Sequence, residues 1–232
     1  MAANVPVAIV GSSGLRSVGI VAVDFLIRQL KTRLVTEIRS PHFPVIYQTR
    51  PSYAADPDLP GIGGARLLNG AITLPSIEIY ESDNPRFILT RGYHANFQGQ
   101  YEVAGQVLNV YQRYGVKRLF ILAGCGMGEE AVCCGATTKE LVSEMNQHGI
   151  KTGYEGPLMG FSGIMMGLAG LEEIESICLF GRSQPNPEDP ELPDSEAARA
   201  VLTKLCELLK IDLDLSQLDN YPNQRKSEPV SF

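Results

Sequence analysis

Short apolar runs alternate along the chain with stretches in which apolar residues recur every three or four positions. The first run, Val5-Pro-Val-Ala-Ile-Val10, ends at Gly11-Ser-Ser-Gly14 and predicts a buried strand followed by a turn. Apolar residues from Val18 to Leu30 then follow helical spacing. The chain therefore opens with a predicted strand–helix unit.

The rest of the chain continues this alternation. Three closely spaced apolar runs at 71–74, 77–80 and 87–90, with turn residues between them, predict antiparallel strands. The other predicted strands are 34–38, 118–123 and 174–180, and the other predicted helices are 101–111, 137–145 and 198–209. This order predicts a three-layer α/β fold, with a mixed, largely parallel sheet and helices on both faces. We expect one domain over residues 1–218 and a polar, mobile tail over residues 219–232.

The net negative charge of the chain makes some classes of binding partner less favourable than others. The chain carries a net charge of −6 at pH 7, and no run rich in lysine and arginine offsets it. Nucleic acids and anionic membranes both favour basic surfaces, so neither is an expected partner. The N-terminal residues lack a secretory signal, and the longest apolar stretch, 158–171, is too short and too rich in glycine to cross a bilayer. We therefore expect a cytoplasmic protein.

Metal and cofactor chemistry have little support in the sequence. The five cysteines show no Cys-x-x-Cys spacing, and the three histidines are scattered along the chain. We therefore expect no metal site and no cofactor. The odd number of cysteines is interpreted as a set of reduced, buried thiols, since free cysteine is among the most buried residue types.

Two glycine-rich turns follow predicted strands, at the position where α/β proteins bind their ligands. In the first turn, Gly11, Ser12 and Gly14 precede a helix, whose first amide groups would face a phosphate. Their spacing matches neither the dinucleotide-binding motif nor the P-loop. A tight turn that requires glycine is therefore the alternative interpretation.

The second turn contains a candidate nucleophile. Gly124, Cys125 and Gly126 end a predicted strand, and catalysis by a Cys125 thiolate would need a base nearby. His94, in the Arg91-Gly-Tyr-His94 turn after another predicted strand, is the histidine that we nominate, and Arg91 is a candidate ligand-binding residue. No Gly-x-Ser-x-Gly motif and no coherent set of acids, bases and nucleophiles accompanies these residues. We therefore expect that the protein is not an enzyme.

An apolar segment with five glycines, Gly156–Gly170, is suited to close packing. It contains Gly163-x-x-x-Gly167, a spacing of small residues that lets two backbones approach, and paired methionines suited to adaptable apolar contacts. The two interpretations are an ordinary buried helix and an oligomer interface. The candidate interface residues are Phe161, Gly163, Met165, Met166 and Gly167.

Several motifs, taken in order, resemble the proteasome-assembly-chaperone superfamily, the archaeal and bacterial homologues of the eukaryotic second assembly chaperone. The resemblance extends over nearly the whole chain, from about residue 5 to residue 218. The motifs are Pro6–Gly11 with Val18–Ala22, Gly135–Thr138 before a helix, Gly160-x-x-Gly163 with Gly167, and the helix that begins at Pro193-Asp194.

This resemblance implies a fold similar to that of purine nucleoside phosphorylases, without their catalytic groups. It also implies homo-oligomers and binding to proteasome α-subunits or another assembly intermediate. Members that dock on the α-ring typically end in a hydrophobic residue, a tyrosine and any residue. Here Val230 matches the hydrophobic position and Phe232 is the last residue, but Ser231 stands in place of the tyrosine. A paralogous chaperone is the alternative source of that contact.

Three hypotheses about function follow. The first is a non-enzymatic, homo-oligomeric assembly chaperone. The second is a nucleoside- or phosphate-binding enzyme, in which Gly11–Gly14, Arg91 and Gly124–Gly128 would converge on one pocket. The third is a scaffold that binds an unrelated partner through the proline- and glycine-rich loop Pro41–Gly64.

Overall fold

The computed structural model describes residues 5–43, 65–93, 95–96, 98–153, 155–158, 160–184, 186–187 and 192–220. Four sequence-based predictions fall outside these residues: most of the Pro41–Gly64 loop, His94, and Val230 and Phe232 of the tail. The strands are β1 (Val7–Gly11), β2 (Thr32–Ile38), β3 (Arg66–Leu68), β4 (Ala71–Thr73), β5 (Ile77–Asp83), β6 (Arg86–Arg91), β7 (Arg118–Cys125), β8 (Val132–Ala136) and β9 (Glu175–Arg182). The helices are α1 (Val18–Gln29), α2 (Gln100–Arg113), α3 (Lys139–Gln147), α4 (Phe161–Leu171) and α5 (Ser195–Leu209).

Seven strands form one mixed sheet in the order β2-β5-β6-β1-β7-β9-β8. The four central strands β6, β1, β7 and β9 are parallel, while β2, β5 and β8 pair antiparallel with their neighbours. The turn at Asn84-Pro85 joins β5 to β6 and is too short for a parallel crossover, so these strands form a hairpin. The predicted three-layer α/β fold with a mixed sheet is confirmed.

Helices cover both faces of the sheet and divide the core into two layers. Side chains of β7 alternate between the layers, with Ile121 in the layer under α2 and α4 and Leu122 in the layer under α1, α3 and α5. Both kinds of side chain are buried, which is why β7 is a continuous apolar run and not an alternating one.

Three strands differ from the sequence-based prediction: β3 and β8 were not predicted, and β4 has a different partner. Strand β8 was not predicted, because its Cys133-Cys134-Gly135 core lacks the β-branched and aromatic residues that mark strands. The run 71–74 forms β4, which pairs with β3 in a separate two-stranded sheet and not with its predicted neighbours. The two short strands are joined at Asn69-Gly70, a pair typical of tight hairpin turns.

The C-terminal part of the described chain packs beneath α5. A 3-10 helix, Leu215–Asn220, places Leu218 in the core layer of α1 and α5. Within the described ranges, no helix combines the length and the apolar character that a membrane span needs.

Candidate functional site

The carboxyl ends of the central strands are bound to one another by backbone hydrogen bonds. The amide of Ser12 donates to the carbonyl oxygen of Leu122 at 2.9 Å, and the amide of Gly92 donates to the carbonyl oxygen of Gly11 at 3.2 Å. The polar groups of the first glycine turn therefore pair with the ends of β6 and β7.

Helix α1 lies directly on these strand ends. A Cβ at Gly19, in the first turn of α1, would lie 2.6 Å from the Ser12 amide nitrogen and would overlap the carbonyl oxygen of Leu122. A Cβ at Gly124 would lie 2.7 Å from the carbonyl oxygen of Leu15. These glycines are thus required by contact between backbones. Contact within one chain therefore explains Gly19 and Gly124 without a ligand.

Arg91 belongs to a cluster of charges on one side of this edge. Its Nε lies 2.7 Å from Oδ1 of the buried Asp24, and its Nη1 lies 3.6 Å from Oε2 of Glu78. The hydroxyl of Tyr80 donates to Glu78 at 2.9 Å. Burial, with the negative charge of Glu78, raises the pKa of Tyr80. Arg91 therefore neutralises a carboxylate that the fold has buried on α1.

Cys125 is the chemically distinctive residue of the second glycine turn. A hydrogen bond from Cys133 lowers the pKa of Cys125 to about 6 against the opposing effect of burial, and the positive charge of Arg182 contributes to the lowering. Burial raises the pKa of Cys178 and that of Cys134. Because His94 lies outside the described residues, the proposed Cys125–His94 pair stays a prediction.

A second polar cluster at this edge was missed by the sequence reasoning. Asp194 Oδ2 accepts hydrogen bonds from Arg16 Nη1 at 3.0 Å and from Ser183 Oγ at 2.7 Å, and its Oδ1 caps α5 by accepting from the Ala197 amide at 2.9 Å. The cap was readable from Asp194 at the predicted helix start. The Arg16 contact was not, because the two residues are 178 positions apart.

The conformation of Arg16 depends on this cluster. Arg16 and the next residue, Ser17, have φ of 44° and 52°, in the left-handed region that residues with a Cβ rarely occupy. The Arg16 guanidinium also donates to the carbonyl oxygens of Leu192 at 2.8 Å and Gln184 at 2.9 Å. These contacts hold the unusual turn in which α1 begins.

An open groove of about 610 Å³ lies beside this cluster. Its lining mixes charges of both signs, with Arg16, Arg182, Glu129, Asp194 and Glu196 among the residues. Arg182 Nη1 donates to the carbonyl oxygen of Glu129 at 3.1 Å. Across the ranges that the structure describes, no three His, Cys, Asp or Glu side chains gather in an arrangement that could hold a metal ion.

Helix α4 separates the candidate interface residues into two groups. Phe161 and Met165 are buried in the core, and a Cβ at Gly163 would overlap the carbonyl oxygen of Leu158. Met166 is half-buried, whereas Gly167 is exposed and a Cβ there would meet no atom within 4 Å. The fold of one chain therefore accounts for Gly163 but not for Gly167.

The outward side of α4 is itself apolar. Ile164, Gly167, Leu168 and Leu171 follow the i, i+3, i+4, i+7 spacing of one helix face. Gly167 and Leu171 are exposed, whereas Ile164 and Leu168 are half-buried and also pack against the core. We name these residues the α4 outer stripe. No charged residue occurs anywhere in α4.

Known proteins resemble this chain along most of its length. It is 29% identical over 217 residues to the uncharacterized protein MJ1210 of Methanocaldococcus jannaschii. The aligned region covers 90% of this chain and 76% of MJ1210. Among solved structures, Pyrococcus furiosus PbaB, an archaeal proteasome activator, superposes with a TM-score of 0.76 at 22% identity, covering 96% of this chain and 91% of PbaB. Pyrococcus furiosus PbaA, an archaeal homolog of proteasome-assembly chaperone, superposes with a TM-score of 0.72 at 21% identity, covering 96% and 84%.

At such identities the two solved structures establish the fold alone. The family is established by the sequence, because residues 8–224 match the PAC2 family. This range contains most of the Pro6–Gly11 motif and all of the motifs at Gly160–Gly167 and Asp194 on which the resemblance was based. The chain belongs to the PAC2 family.

Proposed function

We propose that this chain is a homo-oligomeric, non-enzymatic assembly chaperone of the cytoplasm that binds proteasome α-subunits or a related assembly intermediate. The observation that carries the proposal is its membership of the PAC2 family over residues 8–224, since this is a family of proteasome assembly chaperones. The names of PbaA and PbaB, a chaperone homolog and a proteasome activator, point to the same class of partner.

The packing of the strand ends counts against a small-molecule site there. A nucleoside- or phosphate-binding enzyme would need its glycine turns and Arg91 to line one open pocket. Among the described residues, however, Gly11 and Gly124 are packed against the chain's own backbone, and Arg91 pairs with Asp24. The enzyme alternative is therefore not favoured.

The α4 outer stripe supports self-association. A helix that is apolar on every side is normally buried on every side, and α4 has no charged residue to face water. Of the candidate interface residues, Gly167 is the one that remains exposed on this stripe. Docking by Val230 and Phe232, or by a paralogous chaperone in their place, stays a prediction because the tail lies outside the described residues.

Native mass spectrometry of the purified chain tests this function. The chain is measured alone, mixed with proteasome α-subunits of the same organism, and mixed with β-subunits as the matched control. A closed oligomer that captures α-subunits and not β-subunits is the expected result. An oligomer that ignores α-subunits and carries a small bound mass would instead support the enzyme alternative.

A further inference from the structure

We propose that copies of this chain assemble head to tail, with the β3–β4 hairpin of one copy seated on the α4 outer stripe of the next. The inference rests on the proposed function, because it specifies the contact through which the homo-oligomer forms. It is carried by two exposed apolar surfaces, which differ in shape and lie towards opposite ends of the sheet.

The hairpin supplies the first surface. Leu67 and Ile72 pair directly across β3 and β4, and Leu74 lies two residues beyond Ile72 on the same face of the extended chain. These side chains are 73%, 68% and 58% exposed, respectively. A two-stranded hairpin is marginally stable in water on its own, and here its apolar face is open to solvent. Covering that face would stabilise the hairpin as well as the contact.

The α4 outer stripe supplies the second surface. Leu171 is 78% exposed, the largest value among the exposed large apolar residues of the described chain. Gly167 leaves a gap in the middle of the stripe, where a Cβ would meet no atom within 4 Å. Gly167 thus leaves room for a partner's side chain, and the hairpin presents three large side chains.

The positions of the two surfaces favour a head-to-tail contact over a two-fold one. The hairpin lies in the connection between β2 and β5, which form one edge of the sheet. Helix α4 packs on β7 and β9, towards the other edge. A two-fold contact through one surface would leave the other exposed. A head-to-tail contact covers both with one kind of interface and closes into a ring when the rotation between copies allows it.

A groove at the foot of the hairpin enlarges the first surface. Stable interfaces cover about 800 Å² on each partner, more than three side chains supply. The groove has a volume of about 370 Å³ and adjoins Leu74. Its lining includes Pro41, Phe43 and Pro75, so the apolar surface continues from the hairpin towards the core.

An exposed arginine borders the first surface, and two exposed glutamates border the second. Arg39 lines the groove beside Leu74 and is 62% exposed, although it also pairs with Glu37 at 2.8 Å. At the other surface, Glu172 and Glu173 follow α4 directly and are exposed. Opposite charges at the rim of an apolar contact favour one orientation of the partners, and they are absent from a contact between two identical hairpins.

Two variants separate the surfaces experimentally. The hairpin variant carries Leu67→Lys and Ile72→Lys, and the stripe variant carries Gly167→Lys and Leu171→Lys. Lysine is used in both variants so that, in a mixture, the altered hairpin and the altered stripe repel each other and only the two unaltered surfaces can pair. The control variants are Ala71→Lys, on the opposite face of the hairpin, and Ser143→Lys, on the exposed side of α3. Circular dichroism and a denaturation midpoint confirm that each variant is folded.

Size-exclusion chromatography with light scattering then gives the assembly state. We expect an oligomer for the wild type and both controls, and a monomer for each double variant alone. An equimolar mixture of the two double variants should form a 1:1 dimer, because each retains the surface that the other has lost. A mass tag on one variant identifies the mixed dimer.

Three outcomes would overturn the inference. If each double variant still dimerises alone, both surfaces make two-fold contacts. If the mixture stays monomeric although the wild type is an oligomer, the hairpin and the stripe do not contact each other. A monomeric wild type would refute self-association itself. Capture of α-subunits, measured separately on the same variants, shows whether the chaperone function fails together with the head-to-tail contact.

Discussion

Glycine is used in different ways at the carboxyl edge of the sheet and on the outer side of α4. At the edge, the missing Cβ of Gly19 is explained within one chain, because the amide of Ser12 and the carbonyl of Leu122 occupy its place. On α4, nothing in the same chain occupies the place of a Cβ at Gly167. A glycine of the first kind says little about ligands. A glycine of the second kind is not explained by the fold of one chain, since glycine in a helix costs about 1 kcal/mol relative to alanine. At Gly167 the exposed apolar residue Leu171 on the same helix face adds the second observation, which favours an external contact.

Polar groups show the same contrast. At the edge, the two carboxylate oxygens of Asp194 accept from the side chains of Arg16 and Ser183 and from the backbone amide of Ala197. The α4 outer stripe contains no polar side chain. The carboxylate of Asp194 at the edge therefore has its hydrogen-bond partners within the chain. The apolar surface of the stripe, by contrast, is stabilised only when another surface covers it.

The largest loss in the free energy of unfolding is expected when Gly19, at the carboxyl edge of the sheet, is replaced by alanine. Gly19→Ala would force its Cβ into backbone atoms of two other elements, which cannot move as a flexible side chain can. Overpacking of this kind costs about 1–3 kcal/mol and sometimes more, and we expect the upper end or loss of the fold. Urea denaturation followed by circular dichroism measures the change.

Gly105→Ala is the matched control for Gly19→Ala. Gly105 is also helical, but a Cβ there would meet no atom within 4 Å. We therefore expect a free energy of unfolding that is unchanged or higher. Equal destabilisation by the two substitutions would contradict the view that backbone contact explains the edge glycines.

The edge was only partly predictable from the sequence. The apolar run before Gly11 and the helical spacing after Val18 were sufficient to predict β1, its turn and α1. The same pattern cannot distinguish a glycine that holds a phosphate from one that admits a backbone, because both follow a strand and precede a helix. The Arg16–Asp194 contact depends on how distant segments pack, which leaves no local signal.

The interface candidates on α4 show a second limit. A helix that is apolar on all sides gives no sign of which side faces the sheet, so the sequence nominated Phe161 and Met165 together with Gly167. In the structure the first two are core residues and the third is exposed. The β3–β4 hairpin was missed for two reasons. The three residues of β3 were not recognised as a strand, and the run at 71–74 does not indicate the partner with which it pairs.

The next effect in size concerns Asp194. Asp194→Ala removes the α5 cap, the carboxylate that pairs with the half-buried Arg16 guanidinium, and the acceptor of the Ser183 hydroxyl. Arg16 keeps its two carbonyl acceptors. A lost cap costs about 1 kcal/mol, and hydrogen bonds to charged groups are worth about 1.5–3 kcal/mol, so we expect a loss of about 2–4 kcal/mol. Thermal or urea denaturation at pH 7 measures it.

Thr138→Ala on α3 is the comparison for Asp194→Ala. Thr138 also caps a helix, by accepting from the Leu141 amide at 3.3 Å, but it takes part in no charged cluster. Its removal should cost about 1 kcal/mol, the value of an ordinary cap. If Asp194→Ala costs no more than Thr138→Ala, the edge is not held together by this carboxylate.

A smaller effect is expected at Cys125, the chemically reactive exception at the edge. Because the Cys133 hydrogen bond lowers its pKa to about 6, alkylation by iodoacetamide should rise with pH around that value and level off above it. Cys133→Ala removes the donor and should move the midpoint upwards.

In this variant a smaller fraction of Cys125 is thiolate at pH 7, but each thiolate is more nucleophilic because its pKa is higher. The alkylation rate of Cys125 at pH 7 is therefore expected to fall by only about fourfold. Peptide mapping of the labelled protein distinguishes Cys125 from the buried thiols, and a midpoint near 9 in the wild type would contradict the prediction.

The smallest effect is expected for Gly167→Ala, which should stabilise the monomer but weaken the oligomer. In the hairpin variant, Gly167→Ala should raise the free energy of unfolding by about 0.5–1 kcal/mol, since alanine is the better helix former and the site is open. In the wild-type background the added methyl group should weaken the oligomer, because it occupies the gap in the α4 outer stripe. The dissociation constant from dilution light scattering and the unfolding midpoint together measure both signs. If Gly167→Ala stabilises the monomer and leaves association unchanged, this glycine is not at the interface, and the contrast between the two regions reduces to a difference in helix propensity.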